Sequence, residues 1–514
     1  MSKSLAPRMP RGCSWMWLWL MLGGLLAPEV PAQPGGRTPT PKSKVADGSA
    51  PKSGTATGKS APAPPKTGTA PTKPAVEPKN KGAAKGKAGD VVPEGVTPSP
   101  DTKKVEAPES FLDPRAKAAV ANTFPQVGTR PNAQAISQVK AMARGENPPD
   151  PAVIRSFVDG MIYELSSKAN IKALLETSEK PQGSAARGLE AATNNLIEPL
   201  TSARNNNNMA FLTAYNQVLV ARLPLLLDKH LLSRIEAMIV LGNTRSPNAI
   251  DLYIKQLRNR DQTVWVKLWA ARGLANVTQD GQIDLDAQRG MTAGKAVVDF
   301  LEQEKDLPWP VQVRALEALG ALRQSSAAPL QGKADMASAA LERLADPKAR
   351  PEVRAWAAWA LGLMRVNPQL AKYNYSLIAH SVGVLAADLG EKIAAVASEN
   401  PEQAQFWSGL LLYQVYPSLS GQPGVRDSGL LNVPILGSHG PFIKQLNDRV
   451  QEVCVAAVTL IRAAGGQVPV KQKDLSIRVA TLRAFLDKAV PADRRLLPGG
   501  TELPLANSRV AGAR

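Results

Sequence analysis

The chain has 514 residues, with 62 Lys and Arg against 44 Asp and Glu, giving a formal net charge of +18. Its two cysteines, Cys13 and Cys454, and three scattered histidines exclude a disulfide-stapled fold and a Cys/His zinc module. The positive excess favours anionic partners through the field alone.

The first 32 residues read as a secretory signal. Lys3, Arg8 and Arg11 precede the apolar run Trp15 to Ala27, Pro28 ends it, and "VPA" supplies small residues before Gln33. Thirteen residues at about 1.5 Å each reach about 20 Å, short of a hydrocarbon core of about 30 Å. The expectation is therefore export to a periplasmic or secreted location with no transmembrane segment after cleavage; the alternative is an uncleaved membrane anchor. Cys454, the one cysteine left after cleavage, lies in "VQEVCVAAVTL" and reads as a small buried hydrophobe.

Residues 33–110 contain no Leu, Ile, Met, Phe, Tyr, Trp or Cys. A Pro/Lys/Gly/Ala-rich segment without large apolar groups has nothing to offset the entropy of ordering, so a disordered tether is expected. Its 13 basic and 7 acidic residues leave open a second role, weak binding of anionic envelope polymers.

From residue 111 the composition changes to Ala, Leu and Val at helical spacing. In "DPAVIRSFVDGMIYELSSK" the apolar residues Val153, Ile154, Phe157, Val158, Met161, Ile162 and Leu165 mark one helix face, and Pro151 suits its first turn. Strand and hairpin signals do not appear, so the fold class is all-α. The expected division is an N-terminal helical region over 111–205, repeats over 206–385, a helical region over 386–490 with a long loop at 418–442, and a flexible tail over 491–514.

Four segments share a pattern: "LLSRIEAMIVLGN", "VWVKLWAARGLANV", "VQVRALEALGALR" and "PEVRAWAAWALGLMR". Each carries a basic residue ahead of an Ala-rich apolar helix: Arg234, Lys267, Arg314 and Arg354. Each basic residue follows an aspartate in a turn: Asp228, Asp261, Asp306 and Asp346. Another helix precedes each aspartate, as in "NAIDLYIKQLRN" and "MASAALERLA". This helix, Asp-bearing turn and basic-headed helix, most clearly "DPKARPEVRAWAAWALG", resembles the HEAT repeat over about 205–365. The resemblance implies an α-solenoid in which stacked pairs shield Ala- and Trp-lined helices on several sides. It also implies that the aspartates and basic residues form a ladder between neighbouring turns. Trp356, Trp359 and Leu363 would then pack between repeats, with Trp265 and Trp269 one layer earlier.

No strong catalytic pattern emerges. His230, His380 and His439 lack partners at metal-ligand spacing, and H-E-x-x-H, C-x-x-C, G-x-S-x-G and the phosphate-binding loop are all missing. His380 reads as a core residue. The loop 418–442 gathers Asp427, Ser428, Ser438 and His439, the residue types of nucleophilic catalysis, whose geometry a sequence cannot show. No cofactor or metal is expected. No aromatic interleaving accompanies the Lys-rich tether, so no nucleic acid is expected either. The leading expectation is an exported, non-enzymatic scaffold offering a solenoid surface to a protein. A hydrolase-like site in the C-terminal loop and a polyanion-binding envelope protein are the alternatives.

Overall fold

The computed structural model describes residues 113–120, 124–176, 188–278, 285–304, 306–328, 331–368, 370, 372–434, 436–463 and 467–503. The expected signal and tether lie outside the described residues. Among those residues there is no β-strand, and one isolated bridge joins Gln324 and Arg365. The chain is all-α.

Five elements form the N-terminal region: α1 (Pro114–Ala119), α2 (Ala133–Arg144), α3 (Pro151–Leu165), α4 (Lys168–Glu176) and α5 (Gly188–Asn205). α3 begins where the sequence says it should. Asp150 Oδ1 accepts from the amides of Ala152 and Val153 at 2.8 and 3.3 Å, and Pro151 fills a position with no intrahelical amide to lose. Ile154, Phe157, Val158, Met161, Ile162 and Leu165 are buried.

Eight helices follow as alternating pairs: α6 (Met209–Arg222) with α7 (Leu231–Thr244), α8 (Ile250–Arg258) with α9 (Val264–Thr278), α10 (Ala287–Gln303) with α11 (Trp309–Ala321), and α12 (Asp335–Ala345) with α13 (Pro351–Leu363). Second members pack on second members, α7 to α9 to α11 to α13, and α8, α10 and α12 form a facing row. This arrangement explains α13, whose sequence is apolar on nearly every side. Eleven of its thirteen residues are buried, because α11, α12 and α14 cover it on separate sides. Burying Trp356 there contributes about 2–3 kcal/mol.

Met209–Leu226 is long and apolar enough to cross a membrane by length and composition alone. Within the fold Phe211, Tyr215 and Leu219 are fully buried, and α6 lies against α3 and α5.

The chain continues as α14 (Tyr375–Val396), α15 (Pro401–Leu410), a π-helical turn, α16 (Tyr416–Ser420), α17 (Gly440–Ile461) and α18 (Val468–Lys488). α14, α17 and α18 pack mutually. Beyond α18 the structure departs from the flexible tail expected over 491–514. Asn374, which caps α14, donates its amide to Leu496 O at 3.0 Å and its side chain to the carbonyls of Asp493 and Arg495. Leu496 and Leu503 are buried. Residues 491–503 are thus a strap tied to the start of α14, and the rest of the expected tail lies outside the described residues.

A second long-range tie holds the other end. Asp113 Oδ2 accepts from Val264 N at 2.7 Å, capping α9 from 151 residues away. Arg115 pairs with Asp113 at 2.8 Å, and its other two donors reach Glu304 at 2.7 and 3.1 Å.

Candidate interaction surface

The four basic residues of the repeat pattern head the four second helices. Their side chains form no ion pair with any of the four turn aspartates, so the expected ladder between neighbouring turns is replaced by other partners. Lys267 is almost fully buried and donates to Glu304, at the end of α10, at 2.5 Å. Arg314 and Arg272 both pair with the buried Glu317 on α11. Arg354 donates to Leu344 O at 3.0 Å and to Asp388 on α14 at 2.7 Å. Arg234 reaches Lys229 O and, at 3.1 Å, the side chain of Gln262. Asp228, Asp261, Asp306 and Asp346 are exposed. Asp228 pairs with Lys229 at 3.2 Å, and Asp346 accepts from Lys348 N within its turn at 2.9 Å.

The physical reason is solvation. A cation buried in the stack needs a partner that is also inside it, because an unpaired buried charge costs several kcal/mol. A carboxylate on an exposed turn keeps its hydration at no such cost. The acids that sequence reasoning missed lie about one repeat downstream: 37 residues for Lys267 to Glu304 and 34 for Arg354 to Asp388. Glu317 lies instead on the same helix as Arg314, three residues on.

The tryptophans divide between core and surface. Trp356 is buried at 8% exposure, and Trp359 meets it edge-on with centroids 5.1 Å apart. Trp359 also lies over Gly320 of α11, where an added Cβ would come within 2.6 Å of its ring. Trp265 and Trp269 are only partly buried. On α9 the residues Trp265, Trp269, Arg272 and Asn276 share one partly exposed face at spacings of four, three and four. Leu232, Glu236, Ile239 and Asn243 repeat that spacing on α7. The two stripes are linked by Asn276 Nδ2, which donates to Gly242 O at 3.0 Å. The Arg272–Glu317 pair continues the connection to α11. Trp309 at the head of α11 lies under the Arg350 guanidinium, 4.9 Å from the ring centroid.

No family model, curated protein or solved structure matches this chain.

Glu236 gives the stripe a titratable group near neutrality. Burial raises its carboxyl to about 7, with Glu190 adding to the shift and the Thr193 hydroxyl, donating at 2.8 Å, opposing it. The folded state prefers the neutral acid. Its stabilisation is therefore complete below the ordinary carboxyl range and is lost as pH rises through about 7. Glu236→Gln is expected to be nearly neutral at about pH 5 and to stabilise by about 2 kcal/mol at about pH 8. Urea unfolding at both pH values checks the sign.

The C-terminal loop does not assemble Asp427, Ser438 and His439. His439 Nδ1 is hydrogen-bonded to the hydroxyl of Ser376 on α14 at 2.7 Å, and its ring meets Tyr375 edge-on. Asp427 pairs loosely with Arg365 and Arg426. Ser428 is spent inside the loop, accepting from Gln422 N at 2.7 Å and donating to Val425 O at 2.8 Å. Ser438 is exposed.

His380, His230 and Cys454 are held within the fold. His380 is buried and its Nε2 lies 3.3 Å from Leu486 O. His230 caps α7, its Nδ1 accepting from Leu232 N at 3.2 Å. Burial pushes the Cys454 thiol up to about 12, so it stays protonated and unreactive. Among the described residues no group of three His, Cys, Asp or Glu could hold a metal ion.

Proposed function

We propose that this chain is an exported, non-enzymatic adaptor whose HEAT-like solenoid presents the outward stripes of α7 and α9 to a protein partner. The observation that carries the reading is the stripe itself. On α9 Trp265, Trp269 and Arg272, all partly exposed, lie on one face beside the partly exposed face of α7, and Trp and Arg are enriched at interface centres. The HEAT assignment draws support from the pairing of helices about every 40 residues and from the like-on-like packing of their second members. Export rests on the basic, apolar and small-residue order of residues 1–32.

The test joins binding to surface chemistry. The full chain should retain a defined protein from envelope extract, and Trp265→Ala with Trp269→Ala should weaken that retention by about a hundredfold. Circular dichroism should show the helices intact. Equal retention by the double variant would remove the stripe as the binding face.

A further inference from the structure

Three segments of chain converge beyond the ends of α11 and α13. Arg365 N donates to Arg323 O at 3.0 Å and Ser325 N to Arg365 O at 3.3 Å, so the stretches leaving the two helices run side by side. Gly429 N donates to Gly362 O at 2.6 Å, which brings in the loop 421–429. The Arg323 guanidinium holds the carbonyl of Arg426. Arg365 and Arg426 thereby share one nearby carboxylate, that of Asp427, and Arg323 anchors the backbone beside it.

Their pairing is poor. Arg365 Nη2 and Arg426 Nε both stand 3.7 Å from Asp427 Oδ2, beyond hydrogen-bond reach. The Arg426 side chain is 91% exposed and that of Arg365 49%. Helix-end neutralisation accounts for Arg323 and Arg365, which follow the C-termini of α11 and α13. It does not account for Arg426, which sits on a loop. Asp427 itself is held at φ 54°, a left-handed conformation that a non-glycine residue seldom adopts, and its Oδ2 is the atom that both guanidinium groups approach. A guanidinium matches a carboxylate in shape as well as charge.

We propose that this corner docks an acidic segment of a protein partner, with Arg365 and Arg426 gripping its carboxylates and Asp427 acting as a loose internal stand-in. This rests on the adaptor reading and adds the chemical class of the partner. Since a carboxylate is the group that the fold itself sets beside both guanidinium groups, an Asp- or Glu-bearing peptide fits better than a phosphate.

Fluorescence anisotropy of a short labelled Glu-rich peptide against the full chain tests it. Arg365→Gln with Arg426→Gln should weaken binding about tenfold at low salt. Asp427→Asn should tighten it severalfold, since the stand-in no longer competes. The two effects have opposite sign, so a loss of folding in one variant cannot mimic the pair. No binding by the wild type, equal binding by all three chains, or weaker binding by Asp427→Asn overturns the proposal. So does stronger competition by inorganic phosphate or by anionic lipid vesicles than by unlabelled peptide. If the corner variants behave alike while the Trp265→Ala, Trp269→Ala chain still releases its partner, the acidic-segment assignment fails and the adaptor reading stands. The reverse pattern removes the stripe and leaves the corner.

Discussion

Gly362→Ala is expected to destabilise the protein by about 3 kcal/mol or more. A Cβ at this position would lie 2.4 Å from Ser418 Cα and 2.8 Å from Ser418 O. Backbone cannot rotate aside as a side-chain tip can, so α13 and α16 would have to separate. Separation also strains the 2.6 Å bond from Gly429 N to Gly362 O, and with it the loop that carries Asp427. Gly320→Ala makes a useful comparison. Its Cβ would meet the Trp359 ring at 2.6 Å but also Ala360 Cα at 2.8 Å, so the ring can yield while the backbone cannot. Thermal unfolding followed by circular dichroism should show both variants folded at low temperature and melting earlier than wild type. A loss below about 1 kcal/mol at both sites would mean that the second helices are less closely stacked than described.

Glu317→Ala should cost about 3–5 kcal/mol. Glu317 is 5% exposed and pairs with both Arg314, itself buried, and Arg272. Burial and the neighbouring Arg272 push the Arg314 guanidinium down to about 9, which still leaves it charged at neutral pH. Removing the one carboxylate leaves two cations close together inside the stack. Glu317→Gln keeps the volume and one acceptor but not the charge, so it should recover only part of the loss. The triple variant Glu317→Leu with Arg314→Met and Arg272→Met separates burial from pairing, because it removes both cations along with the acid. If it is nearly as stable as wild type, the triad is chiefly a constraint on which residues can coexist there. Denaturant midpoints with unchanged slopes give these differences.

The all-α class was legible because helical periodicity and the absence of alternating runs are local signals. The start of α3 was equally legible, since Asp150 and Pro151 act within one turn. The four second helices could be found from their Ala- and Trp-rich faces, as their burial on several sides leaves no polar face to break the pattern. The partners of the basic residues could not. The resemblance to the HEAT repeat implies a ladder in which Arg234, Lys267, Arg314 and Arg354 meet the turn aspartates of neighbouring repeats. Desolvation instead selects Glu304 and Asp388, which only the stacking brings near, and Glu317, which shares the helix of Arg314 and is buried with it. The strap at Asn374 and the cap from Asp113 to Val264 escaped for the same reason: backbone groups more than a hundred residues apart in sequence leave no periodic trace. In the C-terminal loop, residue types alone suggested a catalytic trio, and the fold sends His439 to Ser376 and Asp427 to two arginines.

The cap on Val264 has a mechanical corollary. Asp113 and Arg115 bolt the first of the described residues to α9 and the end of α10, in the middle of the helical stack. A pull exerted through the chain ahead of Asp113 would load that midpoint, and α2 through α7 would stay slack until the bolt sheared.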